Sequence, residues 1–279
     1  NDIFVYSLGN WKAPFGIVLV LDHFSILLVL VTSLLAFGAL WYAISEGIDK
    51  KGAHFHPLFQ LQLFGLNGAF LTGDLFNLFV FFEILLLASY SLLLHAKGEG
   101  RVKAGLHYVV INLVGSTLFL FAVGTLYGIL GTLNIADLSQ KVAHLSPENV
   151  SVVASAGLLL LIVFGLKAAM FPLYFWLPNA YGKTSAPVAA LFAIMTKVGI
   201  YSIIRVHGTI FGQNANELAF YYTPWVLYIG LITLVLATFG VLSSKELKTQ
   251  ISYLVLLSVS IILIAIGIFI LFIFNNSQS

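Results

Sequence analysis

Apolar residues run through this chain in long blocks, separated by short polar stretches. Within a block they are continuous rather than alternating, which favours helices over the dyad pattern of a barrel. A window of roughly 20 residues, enough to cross a hydrocarbon core, picks out eight candidate helices: 16–43, 57–73, 75–94, 106–130, 151–171, 186–206, 224–242 and 251–274. The second and third meet at Thr72-Gly73-Asp74, read as a tight turn. The polar linkers are 44–56, 95–105, 131–150, 177–185, 207–223 and 243–250, all too short for a soluble domain.

Composition narrows the class. The chain is 60% hydrophobic and 9% charged, with mean hydropathy +1.01, more apolar surface than a water-soluble domain could hide. In lipid every backbone donor and acceptor must be satisfied within the protein, so helices are the natural spanning element. The expectation is an all-α, polytopic transmembrane helix bundle of about eight helices, residues 1–279 forming one membrane domain. A net charge of +2 gives no sign of a nucleic-acid partner. With no cysteine there is no disulfide, CxxCH haem attachment or thiolate cluster. No HExxH, GxGxxG, P-loop or GxSxG occurs, so no metal or cofactor is assigned.

Basic residues in short loops set orientation. If the N-terminus of this chain is outside, the inner loops hold Lys50, Lys51, Lys97, Arg101, Lys103, Lys183, Lys245 and Lys248. The outer side then holds only Lys12, Lys141 and Arg205. The opening NDIFVYSLGNWKAPFG has no initiator Met and no signal-peptide layout, and reads as part of a longer protein.

Three ionisable residues stand near mid-span: Glu83, Lys167 and Lys197. Each costs on the order of 3 kcal/mol on insertion scales. Glu83 and one lysine could form a structural pair that locks two helices. One acid and two bases on separate helices instead make a chain that can pass a proton, because a nearby carboxylate favours the charged amine and desolvation opposes it. Tyr108, Asn112 and Ser116 recur every four residues, and Gln60, Asn67 and Asp74 every seven. Such stripes line hydrated paths or make ordinary interhelical hydrogen bonds, and the second reading is preferred. Asp22 and His23 fall about two turns into the first candidate helix, as snorkelling or interfacial residues. Pro172 removes a backbone hydrogen bond and clashes one turn back. The helix is therefore expected to break near Lys167, freeing carbonyls beside it, as at transporter ion sites.

Taken together these residues resemble the antiporter-like subunits of complex I and its relatives. GLKAAMFPLYFWLPNAY (165–181) resembles that family's broken seventh helix, APVAALFAIMTKVGIYSIIR (186–205) its eighth, FFEILLLASYSLLL (81–94) its fifth, and LYGILGTLNIADL (126–138) the end of its sixth. FGIVLVLDHFSILLV (15–29), residues 54–83 and AGLHYVVINLVGS (104–116) are most similar to the D subunit of Mrp-type multisubunit cation/proton antiporters. Tyr174 stands where complex I homologues often carry histidine, which counts against that branch and removes a usual relay group. The resemblance implies two inverted five-helix repeats. The first is complete over 57–206 and the second only begun over 224–274, again consistent with a partial chain.

The function implied is a secondary transporter subunit rather than an enzyme. It would sit in a bacterial plasma membrane, exchanging protons for monovalent cations, sodium first among them, with the other subunits of an Mrp-type complex as partners. A Glu83–Lys167 pair would associate and separate to switch the lysine, and Lys197 would be the next relay. The alternatives are a proton-pumping subunit of a complex I-like NADH:quinone oxidoreductase or membrane-bound hydrogenase, and a passive scaffold.

Overall fold

The computed structural model describes residues 3–95 and 100–277. Lys97, assigned above to the inner loops, lies outside these residues. The bundle is helical as expected, with one addition at its start. Strand β1 (Phe4–Ser7) pairs antiparallel with β2 (Val18–Leu21), so the first apolar block is not helical from residue 16. Helix α1 (His23–Ser45) begins only after Asp22. The cause is local. The Asp22 carboxylate accepts from Ser25 N at 2.9 Å, and Ser25 Oγ accepts from Asp22 N at 2.9 Å, a reciprocal box that fixes the helix start. Asp22 is thus a helix cap, not a residue two turns inside.

The other helices are α2 (Phe55–Leu71), α3 (Leu75–Leu94), α4 (Arg101–Leu130), α5 (Ile135–Ala143), α6 (Val150–Ala168), α7 (Trp176–Lys183), α8 (Ala186–Ser202), the single turn α9 (Gly208–Ile210), α10 (Thr223–Ser243) and α11 (Leu247–Ser277). Among the described residues, seven helical segments are long and apolar enough to cross a membrane. The eighth expected span, α2, has 17 residues and falls just short. Helix α7 occupies most of the stretch read as a polar linker (177–185). Its buried residues, Trp176, Leu177, Pro178, Ala180 and Tyr181, belong to the core. A π-helical turn, Ile203–His207, joins α8 to α9.

Because lipid is as apolar as a protein core, small residues mark the inner faces better than hydrophobicity does. On α1 the buried positions are Ser25, Thr32, Ala36, Ala39 and Ala43, while Leu34, Phe37 and Trp41 are exposed. This face packs against α2 and α8. A Cβ on Gly199 of α8 would meet Ala168 N at 2.5 Å and Phe164 O at 2.7 Å, so α6 and α8 touch backbone to backbone. The 72–74 turn is knitted at one end of the bundle. Gly73 N donates to Val18 O at 2.9 Å, Ile135 N to Gly73 O at 3.0 Å, and Leu75 N to Leu133 O at 2.9 Å. Asp74 caps α3 by accepting from Asn77 N at 2.9 Å; burial nonetheless raises its carboxyl above the ordinary carboxylate value.

Candidate functional site

The site lies where α4 passes between α3 and α6. Helix α6 stops at Ala168 because Ala169 adopts the left-handed conformation (φ 60°, ψ 42°). Lys167 is therefore in the last turn of the helix. Pro172 sits three residues beyond the cap, in the turn leading to α7, rather than within a helix that it kinks. The released backbone groups find partners. Leu166 O accepts from Ala169 N at 3.1 Å and from Trp176 Nε1 at 3.1 Å; Gly165 O accepts from Met170 N at 2.8 Å; and Phe171 N donates to Thr233 Oγ1 on α10 at 3.0 Å. The break is a built joint closed by its own tryptophan.

Lys167 is 7% exposed. Its Nζ donates to Asn112 Oδ1 at 3.0 Å and lies 5.3 Å from the centre of the Phe82 ring. Asn112 is fully buried, and its Nδ2 donates to Tyr108 O at 2.8 Å. One turn further along α4, Ser116 Oγ donates to Glu83 Oε1 on α3, and Asn112 O lies 3.1 Å from the same hydroxyl. Glu83 is half-buried. Among the described residues the ion pairs within 4 Å are His56–Asp49, Lys141–Asp137 and Arg205–Asp22. Glu83 and Lys167 are near neighbours bridged by α4, not a contact pair. Of the two stripes, Tyr108–Asn112–Ser116 lines this site. Gln60–Asn67–Asp74 does not: Gln60 is exposed and Asp74 is a cap.

Aromatic layers close the site on two sides. On one, Phe82, Phe119 and Phe164 meet edge to face, with centroids 5.6–6.1 Å apart. On the other, Tyr108 packs against Trp176 at 5.2 Å and Phe192 at 6.4 Å. Between the site and α8 is a cavity of about 10 Å³, lined by Phe82, Leu85, Leu86, Tyr108, Lys167, Met195 and Val198. That is room for about one water. Lys197 turns away from it. Its Nζ donates to Ser258 Oγ on α11 at 2.6 Å and to Thr196 Oγ1 at 3.4 Å.

Two polar features escaped the sequence reading. Gln62, fully buried, donates from Nε2 to Met195 Sδ at 3.4 Å, and its Oε1 has no partner. Tyr108 OH reaches the same sulfur at 3.7 Å. Arg205, read as a loop residue, grips Asp22 through two bonds of 2.6 and 2.9 Å and donates to Tyr201 OH at 2.9 Å. The D-x-x-S cap signal at Asp22 was available in the sequence; the spatial partner was not. Among the described residues, no group of three or more His, Cys, Asp or Glu could hold a metal.

The site thus sets a lysine at a helix break, a carboxylate on a facing helix and a polar stripe between them. Residues 72–276 match the family described as NADH:quinone oxidoreductase/Mrp antiporter, transmembrane. The chain belongs to that family. The likeness to D subunits also holds. A Rhizobium meliloti (strain 1021) protein, named as a probable K(+)/H(+) antiporter D subunit, is 51% identical over 95% of this chain and 49% of its own length. The Na(+)/H(+) antiporter D subunit of Alkalihalophilus pseudofirmus is 41% identical over 96% of this chain and 54% of its own. Among solved structures, the Mrp complex from Dietzia sp. DQ12-45-1b matches with TM-score 0.85 and 32% identity, over 95% of this chain and 49% of that one. The membrane-bound sulfane sulfur reductase, an archaeal respiratory membrane complex, matches with TM-score 0.81 and 30% identity, over 94% and 53%. This antiporter-family chain spans about half the length of the curated relatives it matches.

Proposed function

We propose that this chain forms the proton-handling part of a membrane subunit in a multisubunit monovalent cation/proton antiporter. Glu83 and Lys167 form the switching couple, and Lys197 is the next relay. The observation that carries the reading is the hydrogen-bonded series Glu83–Ser116–Asn112–Lys167 beside the α6–α7 joint. Residues 57–206 are taken as the first five-helix repeat, comprising α2, α3, α4, the broken α6–α7 and α8, with 224–274 opening the second. Lys197 then reaches across the junction through Ser258 of α11. The other subunits of the complex and the surrounding lipid are its partners. The membrane is the bacterial plasma membrane, with the start of this chain on its outer side. Sodium is the first cation to test, and the name of the Rhizobium relative makes potassium the second arm.

The test is proton movement in everted vesicles carrying the full-length subunit in its complex, driven by a sodium or a potassium gradient. Glu83→Ala and Lys167→Ala are each expected to lower exchange at least tenfold with either cation. Wild-type exchange in both would overturn the relay. A second reading, proton pumping powered by electron transfer elsewhere in a complex, is favoured by the likeness to the archaeal respiratory complex. Cation-driven proton movement without an electron donor excludes it.

A further inference from the structure

The two charged ends of the couple are held apart by one helix. Asn112 presents a carboxamide oxygen to the Lys167 ammonium, and Ser116 presents a hydroxyl to the Glu83 carboxylate. We propose that Asn112 is a positioning residue whose side-chain oxygen competes with Glu83 for Lys167 and holds it in the disengaged position. The proposal rests on the relay reading above.

Three observations carry it. First, the orientation of the Asn112 amide is fixed. Its Nδ2 is committed to the carbonyl of Tyr108 one turn back, which leaves Oδ1 for the ammonium. A flipped amide would aim N–H groups at a cation and abandon that carbonyl. Second, the acceptor is neutral. A carboxylate at the same place would bind the ammonium and also take its proton; a carboxamide cannot be protonated in this range and only holds. The bond is charge-assisted, about twice as strong for the ammonium as for the neutral amine, so Asn112 retains a loaded lysine and releases an unloaded one. Third, Asn112 is fully buried, so no water competes for its oxygen from solvent.

The groups facing Lys167 are few. Glu83 comes from α3, and Tyr108 of α4 lines the cavity beside it. Lys197 of α8 is turned to Ser258. His207, beyond α8, bonds Gly157 O well up α6 and is screened from Lys167 by the Phe164 ring, 5.9 Å from its own. Removing the Asn112 oxygen therefore leaves Glu83 as the acceptor to which Lys167 can turn. An opposite charge within contact distance favours the charged amine by about 1–3 pH units. Loss of the Asn112 bond works the other way, but a full opposite charge outweighs a neutral acceptor, so proton release would then require a more alkaline medium.

The experiment is the pH profile of cation-driven proton exchange by the complete complex in everted vesicles, with Lys167→Ala measured alongside. Asn112→Leu, a near-isostere without an acceptor, is expected to move the profile alkaline by about one pH unit or more, with exchange recovering at high pH. Asn112→Asp, which places a carboxylate directly at the ammonium, is expected to move it at least as far while it is ionised. Asn112→Thr keeps an acceptor and is expected to lie nearer to wild type. An unmoved profile in Asn112→Leu, whether exchange stays normal or falls evenly at every pH, overturns the proposal. If that variant does not assemble, an unmoved profile in Asn112→Asp overturns it instead. The two failures are separable: normal exchange in Lys167→Ala refutes the relay itself, whereas an inactive Lys167→Ala with unmoved Asn112 profiles refutes only the role of Asn112.

Discussion

Asp22 and Arg205 are 183 positions apart in sequence, yet each is only 18% exposed in its side chain and they meet through two hydrogen bonds. The clasp ties the start of α1 to the end of α8, and Tyr201 OH extends it to Phe70 O at 2.7 Å on α2. The Arg205 guanidinium is the main cause holding the Asp22 carboxyl well below the usual carboxylate range; burial opposes it, and the Ser25 N–H assists. The sign follows. A depressed carboxyl contributes stability in full above its unfolded value of about 3.9, and loses it as pH falls toward the folded value. Asp22→Asn is therefore expected to cost about 1 kcal/mol at pH 7, a modest figure because water reaches the pair. In detergent, its melting temperature should lie below wild type at pH 7, and the gap should narrow once pH drops below about 4. A gap that stays constant down to about pH 3 would mean that the pair is not the source.

At the scale of the element, the α6–α8 contact positions Lys167. Gly199 is what lets the two backbones meet, since the nearest atoms to an added Cβ are main-chain atoms that cannot swing aside. Gly199→Ala is expected to push the end of α6 outward, lower thermal stability by about 1–3 kcal/mol and reduce exchange. Gly208→Ala, with nothing within 4 Å of the added Cβ, is the control and should do neither. Melting curves and vesicle exchange on both variants decide this, and equal behaviour would remove Gly199 from the account. The same contact explains what was legible beforehand. Lys167, Glu83 and Pro172 stood out because a charge or a proline in apolar sequence is costly, and cost is visible in one dimension. The period-four stripe put Asn112 and Ser116 on one face, but which helices they bridge depends on packing angles that no spacing encodes. Helix α7 was read as linker because Pro178, Asn179, Gly182 and Lys183 look like turn residues; its burial comes from Trp176, Leu177 and Tyr181 packing at the joint. Gln62 was missed because neighbouring Gln60 fitted the chosen period and Gln62 did not.

At the scale of the molecule, the membrane class and the long spans were legible because hydropathy blocks need no tertiary information, and the family was legible in the motifs around Glu83, Lys167 and Lys197, whereas the short helices α5, α7 and α9 were not. The hairpin before α1 was not, because Val18–Leu21 has the same apolar character as the helix that follows. Sidedness can be argued from the assembled ends. The bridges Leu19–Thr72 and Asp74–Asn134 and the Asp22–Arg205 clasp gather the starts of α1 and α3 with the ends of α2, α4 and α8 at one face. Lys51, Lys183 and Lys248 follow from helix ends at the opposite face, where Gly182 abuts Thr249. On the basic bias, that second face is the one we propose as the inner one. These 279 residues contain no cysteine, so a cysteine introduced here is the single label within them, and any elsewhere in the subunit is replaced first. In the full-length subunit, Gln140→Cys on α5 and Lys51→Cys after α1 are both exposed positions. A membrane-impermeant maleimide is expected to label Gln140→Cys in intact cells and Lys51→Cys only in everted vesicles. The reverse pattern would invert the topology and place the Lys167 joint on the path from the opposite compartment.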